Sequence, residues 1–213
     1  MTTLDAANGP IVVSGRISGG QTAYLSKDGA FDVVLAGANT YRGQTWLIAG
    51  NLEARTSTAL GMRDLEAVGS GTVLYRGTSV TLGPGVVVEE VFLTAGNTLD
   101  VASIRVPTGA ATLIGLILFT DHLAIGVEAR ATLDLQCPID LGYGIATPAN
   151  LFKRGAGPAI LSNGTGSALP NNWFMLRVEA GLLRLGRSGA EHRDNDRQIT
   201  DPVRTSRADD PDE

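Results

Sequence analysis

The residues that could do chemistry are few and scattered. Glu89 and Glu90 are adjacent, and neighbours on a strand project to opposite faces, so the two cannot work as a pair by themselves. Asp100, Asp121, Asp134 and Asp140 are dispersed. A polysaccharide-cleaving site would need two or three carboxylates on neighbouring strands, or calcium-held acids beside a basic residue. Asp121-His122 is the one acid-histidine neighbour in the folded part. A triad there would need a nucleophile from elsewhere, and no Gly-x-Ser-x-Gly elbow supplies one. His122 is expected in an exposed turn and His192 in a polar terminal segment. Cys137 is the only cysteine, which excludes an intrachain disulfide and a Cys-based metal cage and suits a small apolar residue in a buried strand. Asn163-Gly-Thr165 fits the glycosylation triplet but reads better as a chain corner. There is no Gly-rich phosphate cradle, calcium-binding nonapeptide or His-Glu-x-x-His. The prediction is a non-enzyme with no catalytic, metal or cofactor-binding residue, no cofactor and no identifiable binding residue.

Composition limits the partners. The chain has 213 residues, a net charge of −5 and a pI near 5.0. Its arginines are spread along the sequence, so no basic field draws in nucleic acid. The longest apolar run, Leu113 to Phe119 broken by Gly115, is far too short to span a bilayer. The first thirty residues lack a basic start followed by an apolar stretch, so no signal peptide is read there. Tyr41, Trp46, Phe92 and Trp173 would stack on sugars if exposed, but a core or strand-stacking role is expected for them.

The elements that must position these residues are strands. With 27 glycines and 5% aromatics, short β-favouring runs recur at Ile11–Val13, Phe31–Leu35, Thr45–Ile48, Thr72–Tyr75, Val80–Leu82, Val86–Leu93, Thr98–Val101, Ala111–Phe119, Ala124–Val127 and Thr132–Leu135. That is roughly one strand per dozen residues, the rhythm of a sandwich, barrel or solenoid. No long window holds an apolar helical stripe free of Gly or Pro; Ser57 to Val68, broken by Gly61, could form a turn or two at most. Val86 to Val88 and Leu116 to Phe119 are apolar at consecutive positions, as in strands covered on both faces.

Internal repetition narrows the choice. Residues 34 to 61 and 153 to 189 each run from an apolar strand through a small polar turn and a Trp-containing strand to an Ala-Gly pair and a Leu-containing strand, with Ala49-Gly50-Asn51-Leu52 matching Ala180-Gly181-Leu182-Leu183. Asn at such corners can bond its own backbone or form ladders along a stack.

The stretch from Leu35 through Gly37-Ala-Asn39-Thr40-Tyr41-Arg-Gly43-Gln-Thr45-Trp46 to Gly50-Asn-Leu52 resembles the autotransporter-associated β-strand repeat, also called the passenger-associated transport repeat. Lys153-Arg-Gly-Ala-Gly157 resembles the start of a further repeat, although Ser162 to Ser167 lacks the Asn-Thr-Tyr element and is followed by Pro170. The resemblance covers about residues 28 to 190. It implies an all-β, right-handed parallel β-helix: an exported passenger at the outer surface of a Gram-negative cell, acting as stalk, translocation and folding module, or adhesin segment.

At about 20 to 25 residues per coil and about 4.8 Å per rung, residues 9 to 186 would give roughly eight rungs, about 40 Å long. Residues 1 to 8 would help to cap one end. The expected organisation is one solenoid domain over residues 1–190, with repeat units near 34–61 and 153–189, and a charged, flexible tail over 191–213. From Arg187 onward thirteen of 27 residues are charged, too polar to build a core, and Asp209 to Glu213 reads as a solvated terminus. A surface glycan or protein is the expected partner, with self-association through solenoid ends or faces. A virion component such as a tail fibre, spike or capsid decoration is the alternative, and a polysaccharide-active enzyme the third reading.

Overall fold

A computed structural model describes residues 1–62, 71–95, 101–137, 139–141, 149–162 and 175–185. Among these residues there is no helix, and eighteen strands succeed one another. They are β1 (Thr2–Asp5), β2 (Ile11–Val13), β3 (Leu25–Asp28), β4 (Val33–Leu35), β5 (Thr45–Leu47), β6 (Asn51–Ala54), β7 (Thr72–Tyr75), β8 (Ser79–Leu82) and β9 (Val87–Ala95). The second half holds β10 (Ala102–Val106), β11 (Gly109–Phe119), β12 (Leu123–Val127), β13 (Ala131–Leu135), β14 (Ile139–Leu141), β15 (Asn150–Arg154), β16 (Ala159–Leu161), β17 (Met175–Val178) and β18 (Leu183–Leu185).

All the pairings are parallel, and strands alternate between two stacks. One runs β1-β3-β5-β7-β9-β11-β13-β16-β18, with β14 also on β11; the other runs β2-β4-β6-β8-β10-β12-β15-β17. Each strand therefore pairs with its equivalent one coil earlier and one coil later, which is a parallel β-solenoid, as the sequence led us to expect. The step between coils ranges from 19 residues (Val33 to Leu52) to 28 (Asn51 to Ser79), a wider spread than the about 20 to 25 residues per coil expected from the sequence. The excess lies between strands, where a longer connection adds little entropic cost.

The core is a set of side-chain columns along the axis. In the second stack Ile11, Val33, Leu52, Val80, Ile104 and Ile125 lie one above another. In the first, Leu4, Lys27, Leu47, Leu74 and Thr94 do the same. Each buried Leu, Ile or Val contributes about 1.5–3 kcal/mol through removal from water.

The two longest strands carry the stack around a corner. Phe92 to Ala95 of β9 pair with β7, whereas the register of β9 on β11 begins at Val87. Gly109 to Leu113 of β11 pair with β13, and Ile117 to Phe119 pair with β14. The stack opposite β11 is interrupted between those segments, where Gly115 has φ +141°. A Cβ there would lie 2.0 Å from the Glu90 carbonyl oxygen on the coil below, so only glycine fits. The first stack thus covers one side of the solenoid up to β7 and wraps onto a third side from β9 onward.

Several expectations need correction. Of the strand read at Thr98–Val101, residues 98–100 lie outside the described residues and Val101 immediately precedes β10, which begins at Ala102. β3 was missed because Lys and Asp are poor strand formers. Residues 1 to 8 do more than cap, since β1 pairs with β3 as a rung of the stack. Residues 57–60 form turns, within the turn or two allowed there, and residues 63–68 lie outside the described residues. Cys137 is buried, but in a bend just after β13 rather than within a strand. The tail, His192, Asn163 to Ser167, Pro170 and Trp173 lie outside the described residues. No helix among the described residues is long and apolar enough to cross a membrane.

Candidate functional site

The nearest approach to catalytic chemistry is the corner between β11 and β12. Thr94, buried on the preceding coil, receives the backbone N–H groups of Thr120 at 3.1 Å and Asp121 at 3.2 Å on its Oγ1, while Thr120 Oγ1 donates to Thr94 O at 2.5 Å. Asp121 Oδ1 then accepts the backbone N–H of His122 at 2.7 Å. The carboxylate engages the histidine main chain, not its ring. His122 Nδ1 in turn accepts the Asn150 N–H of the next coil at 2.9 Å, and the ring meets Phe152 edge-on with centroids 5.8 Å apart. With Nδ1 accepting, the neutral ring carries its proton on Nε2. His122 is half-buried rather than exposed as expected, because its ring serves as a brace between coils.

The carboxylates do not converge. Glu89 is exposed and Glu90 buried, the opposed pair their adjacency dictates. Asp134 accepts from Gln136 Nε2 at 2.7 Å and from Ser162 Oγ on the next coil. Of Asp100 and the Asp140 side chain nothing is described. Among the described residues, no group of three or more His, Cys, Asp or Glu is placed to hold a metal ion. Tyr41 and Phe92 are core residues, while Trp46 is half-buried on an outer face, its Nε1 donating to Gln44 Oε1 at 2.9 Å and its ring tilted against Tyr24.

The motif residues act along the axis. Asn39 is buried; its Oδ1 accepts Ile17 N–H at 2.8 Å from the coil below, and its Nδ2 donates to Ala59 O at 2.6 Å in the coil above. It joins three coils, acting along the axis of the stack. Tyr41 Oη and Thr45 Oγ1 are 2.6 Å apart. Burial raises the Tyr41 phenol above its ordinary range, with the Thr45 hydrogen bond opposing the shift.

Sequence reasoning missed Lys27 as the counterpart of Lys153. Each lysine is fully buried in a column of aliphatic side chains, beside Leu4 and Leu47 for Lys27 and beside Ile125 and Val178 for Lys153. Lys27 Nζ donates to Asp28 O (3.1 Å), Gly29 O (2.5 Å) and Ala49 O (2.8 Å). Lys153 Nζ donates to Arg154 O (2.7 Å), Gly155 O (2.7 Å) and Ala180 O (3.1 Å). All three ammonium protons therefore find main-chain acceptors, which makes burial of the charge tolerable. Burial lowers both pKa values, with nearby carboxylates opposing it: Asp28 foremost for Lys27 and Glu128 for Lys153. The signal was present in the sequence as Lys27-Asp-Gly-Ala30 and Lys153-Arg-Gly-Ala156, each followed by an Ala-Gly pair one coil later.

Fold and side-chain arrangement together define the class: a parallel β-solenoid whose buried polar groups brace one coil to the next. Compared with known proteins, the chain matches no family model, no curated protein and no solved structure.

Proposed function

We propose that the chain is a non-catalytic structural module of passenger type, a rod segment displayed at the outer surface of a Gram-negative cell as stalk, folding module or adhesin segment. The observation that carries this reading is the work done by the motif residues. Asn39 and Tyr41 of the Gly-x-Asn-Thr-Tyr element and the two lysines of the Lys-x-Gly corners are buried and engaged within the stack. A motif spent on stacking suits a spacer, whose outer residues are then free to vary with the ligand. The other braces agree: Thr94, His122 and Asn150 link coil to coil.

The test is protease shaving of intact cells that express the natural gene, with antibodies to the solenoid as readout. Loss of the epitope from intact cells is the expected result. An epitope that stays protected until lysis overturns the reading, and recovery of the chain in purified virions replaces it with the virion assignment. Incubation with polysaccharides should release no reducing ends; release that persists through purification would overturn the non-catalytic part.

A further inference from the structure

The asparagines among the described residues are Asn8, Asn39, Asn51 and Asn150. Three of them brace the stack. Asn39 is buried, with Oδ1 and Nδ2 both bonded to other coils. Asn51 Oδ1 accepts from Ser79 Oγ at 2.8 Å and Thr81 Oγ1 at 2.9 Å, and Asn150 Oδ1 accepts the Met175 N–H at 3.4 Å. Asn8 differs. It is exposed in the bend between β1 and β2, and its side-chain amide has no hydrogen bond among the described residues. Gly9 and Pro10 follow it. The chain is anchored on either side, by the Ala6 N–H on Asp28 O at 2.9 Å and the Ile11 N–H on Asp32 O at 3.0 Å, whereas the Gly9 N–H meets no acceptor among the described residues. A Cβ built on Gly9 would find nothing within 4 Å, and its φ lies outside the left-handed region. Space around this residue is open, and the fold does not require a glycine there.

We propose that Asn8-Gly9 is a site of spontaneous, backbone-assisted modification, where the asparagine converts to aspartate and isoaspartate through a cyclic imide. An amide nitrogen is a poor nucleophile while its lone pair is delocalised, so the step begins when hydroxide removes the Gly9 N–H proton. The nitrogen attacks Asn8 Cγ. Its bond to Cγ forms, the Cγ–Nδ2 bond breaks, and Nδ2 takes a proton from water and leaves as ammonia, which regenerates the hydroxide. Water then opens the imide at either of its two acyl C–N bonds. Opening at Cγ leaves an ordinary aspartate; opening at the main-chain carbonyl carbon leaves isoaspartate, with the chain now running through the side chain. One water is consumed, one ammonia is released, nothing is oxidised or reduced, and one negative charge is added to the net charge of −5. Glycine after the asparagine favours the attack because its nitrogen carries no Cβ-bearing carbon to obstruct the approach. The same route is closed at Asn39, where both amide atoms are held and a β-branched Thr40 follows. Isoaspartate inserts an extra backbone carbon between the anchors at Ala6 and Ile11, in the corner that joins the first two strands.

Peptide mapping of the full chain, kept folded in mildly alkaline buffer and sampled over weeks, tests this. Trypsin releases residues 1–16, in which Asn8 is the only side-chain amide. A mass gain in that peptide therefore reports this site apart from Asn163-Gly164, which lies outside the described residues. Circular dichroism checks that the samples remain folded. The expected result is conversion in the native chain at nearly the rate seen in urea, faster at higher pH, with isoaspartate and aspartate peptides both resolved by chromatography. Asn39 should stay intact until the chain is unfolded. Gly9→Ala, for which the structure has room, should slow conversion about tenfold or more. A native rate far below the unfolded one overturns the proposal, and that comparison needs no variant. So does aspartate without isoaspartate, which means direct hydrolysis, or a conversion indifferent to Gly9→Ala.

Discussion

Lys27 and Lys153 close the same kind of corner on different sides of the solenoid. Lys27 projects from β3 in the first stack and Lys153 from β15 in the second, yet each ammonium holds the carbonyls of the next two residues and of an alanine one coil on. The internal repeat thus reappears on the other stack of the solenoid.

Removing either lysine leaves corner carbonyls buried without a donor. Lys27→Met and Lys153→Met should each lower unfolding free energy by about 3 kcal/mol, read as a lower denaturant midpoint at unchanged slope. Because the two corners share no contacts, the double variant should show the sum of the single effects. A strongly non-additive result would mean that the corners are coupled.

Two glycines with positive φ separate strain from collision. Gly85 (φ +74°) has open space where a Cβ would stand, so Gly85→Ala should cost about 1–2 kcal/mol from backbone conformation alone. Gly115→Ala adds a Cβ 2.0 Å from the Glu90 carbonyl oxygen and should cost about 3 kcal/mol or more, since two paired backbones must separate. Equal melting temperatures for the two variants would contradict the corner described at Gly115.

Asn39→Ala strips donors and acceptors from three coils at once and should destabilise by about 2–4 kcal/mol. Tyr41→Phe, which removes only the 2.6 Å contact with Thr45, should cost about 1 kcal/mol. Thermal unfolding of both variants measures the contrast, with Asn39→Ala the more severe.

Cys137 is 2% exposed, and burial pushes its thiol from 9.0 up to about 12. At pH 8 the native thiol should react with Ellman's reagent far more slowly than the unfolded one. Because the folded value is raised, its contribution to stability is complete below pH 9 and is lost as pH rises towards about 12. The burial-raised Tyr41 phenol acts in the same direction. Chemical denaturation should show falling stability across that window, with a shallower fall in Cys137→Ala.

The strand rhythm was legible because each coil needs short β-favouring runs between turn residues, and β2 and β7 coincide with the runs Ile11–Val13 and Thr72–Tyr75. β3 was hidden because Lys27 occupies a position where an aliphatic residue would have announced a strand. His122 was misplaced for a related reason: a polar residue beside Asp and Thr reads as an open turn, and the donor to its Nδ1, Asn150 N–H, arrives 28 residues later.

What the sequence by itself determined is the alternation of strand and corner, the all-β class and the repeated motifs, since these follow from local propensity and from spacing along the chain. Which residues meet was decided by the tertiary structure. In a solenoid every strand is completed by one a coil away, at steps from 19 to 28 residues that no local pattern announces. That register turns lysines into corner braces and separates the carboxylates.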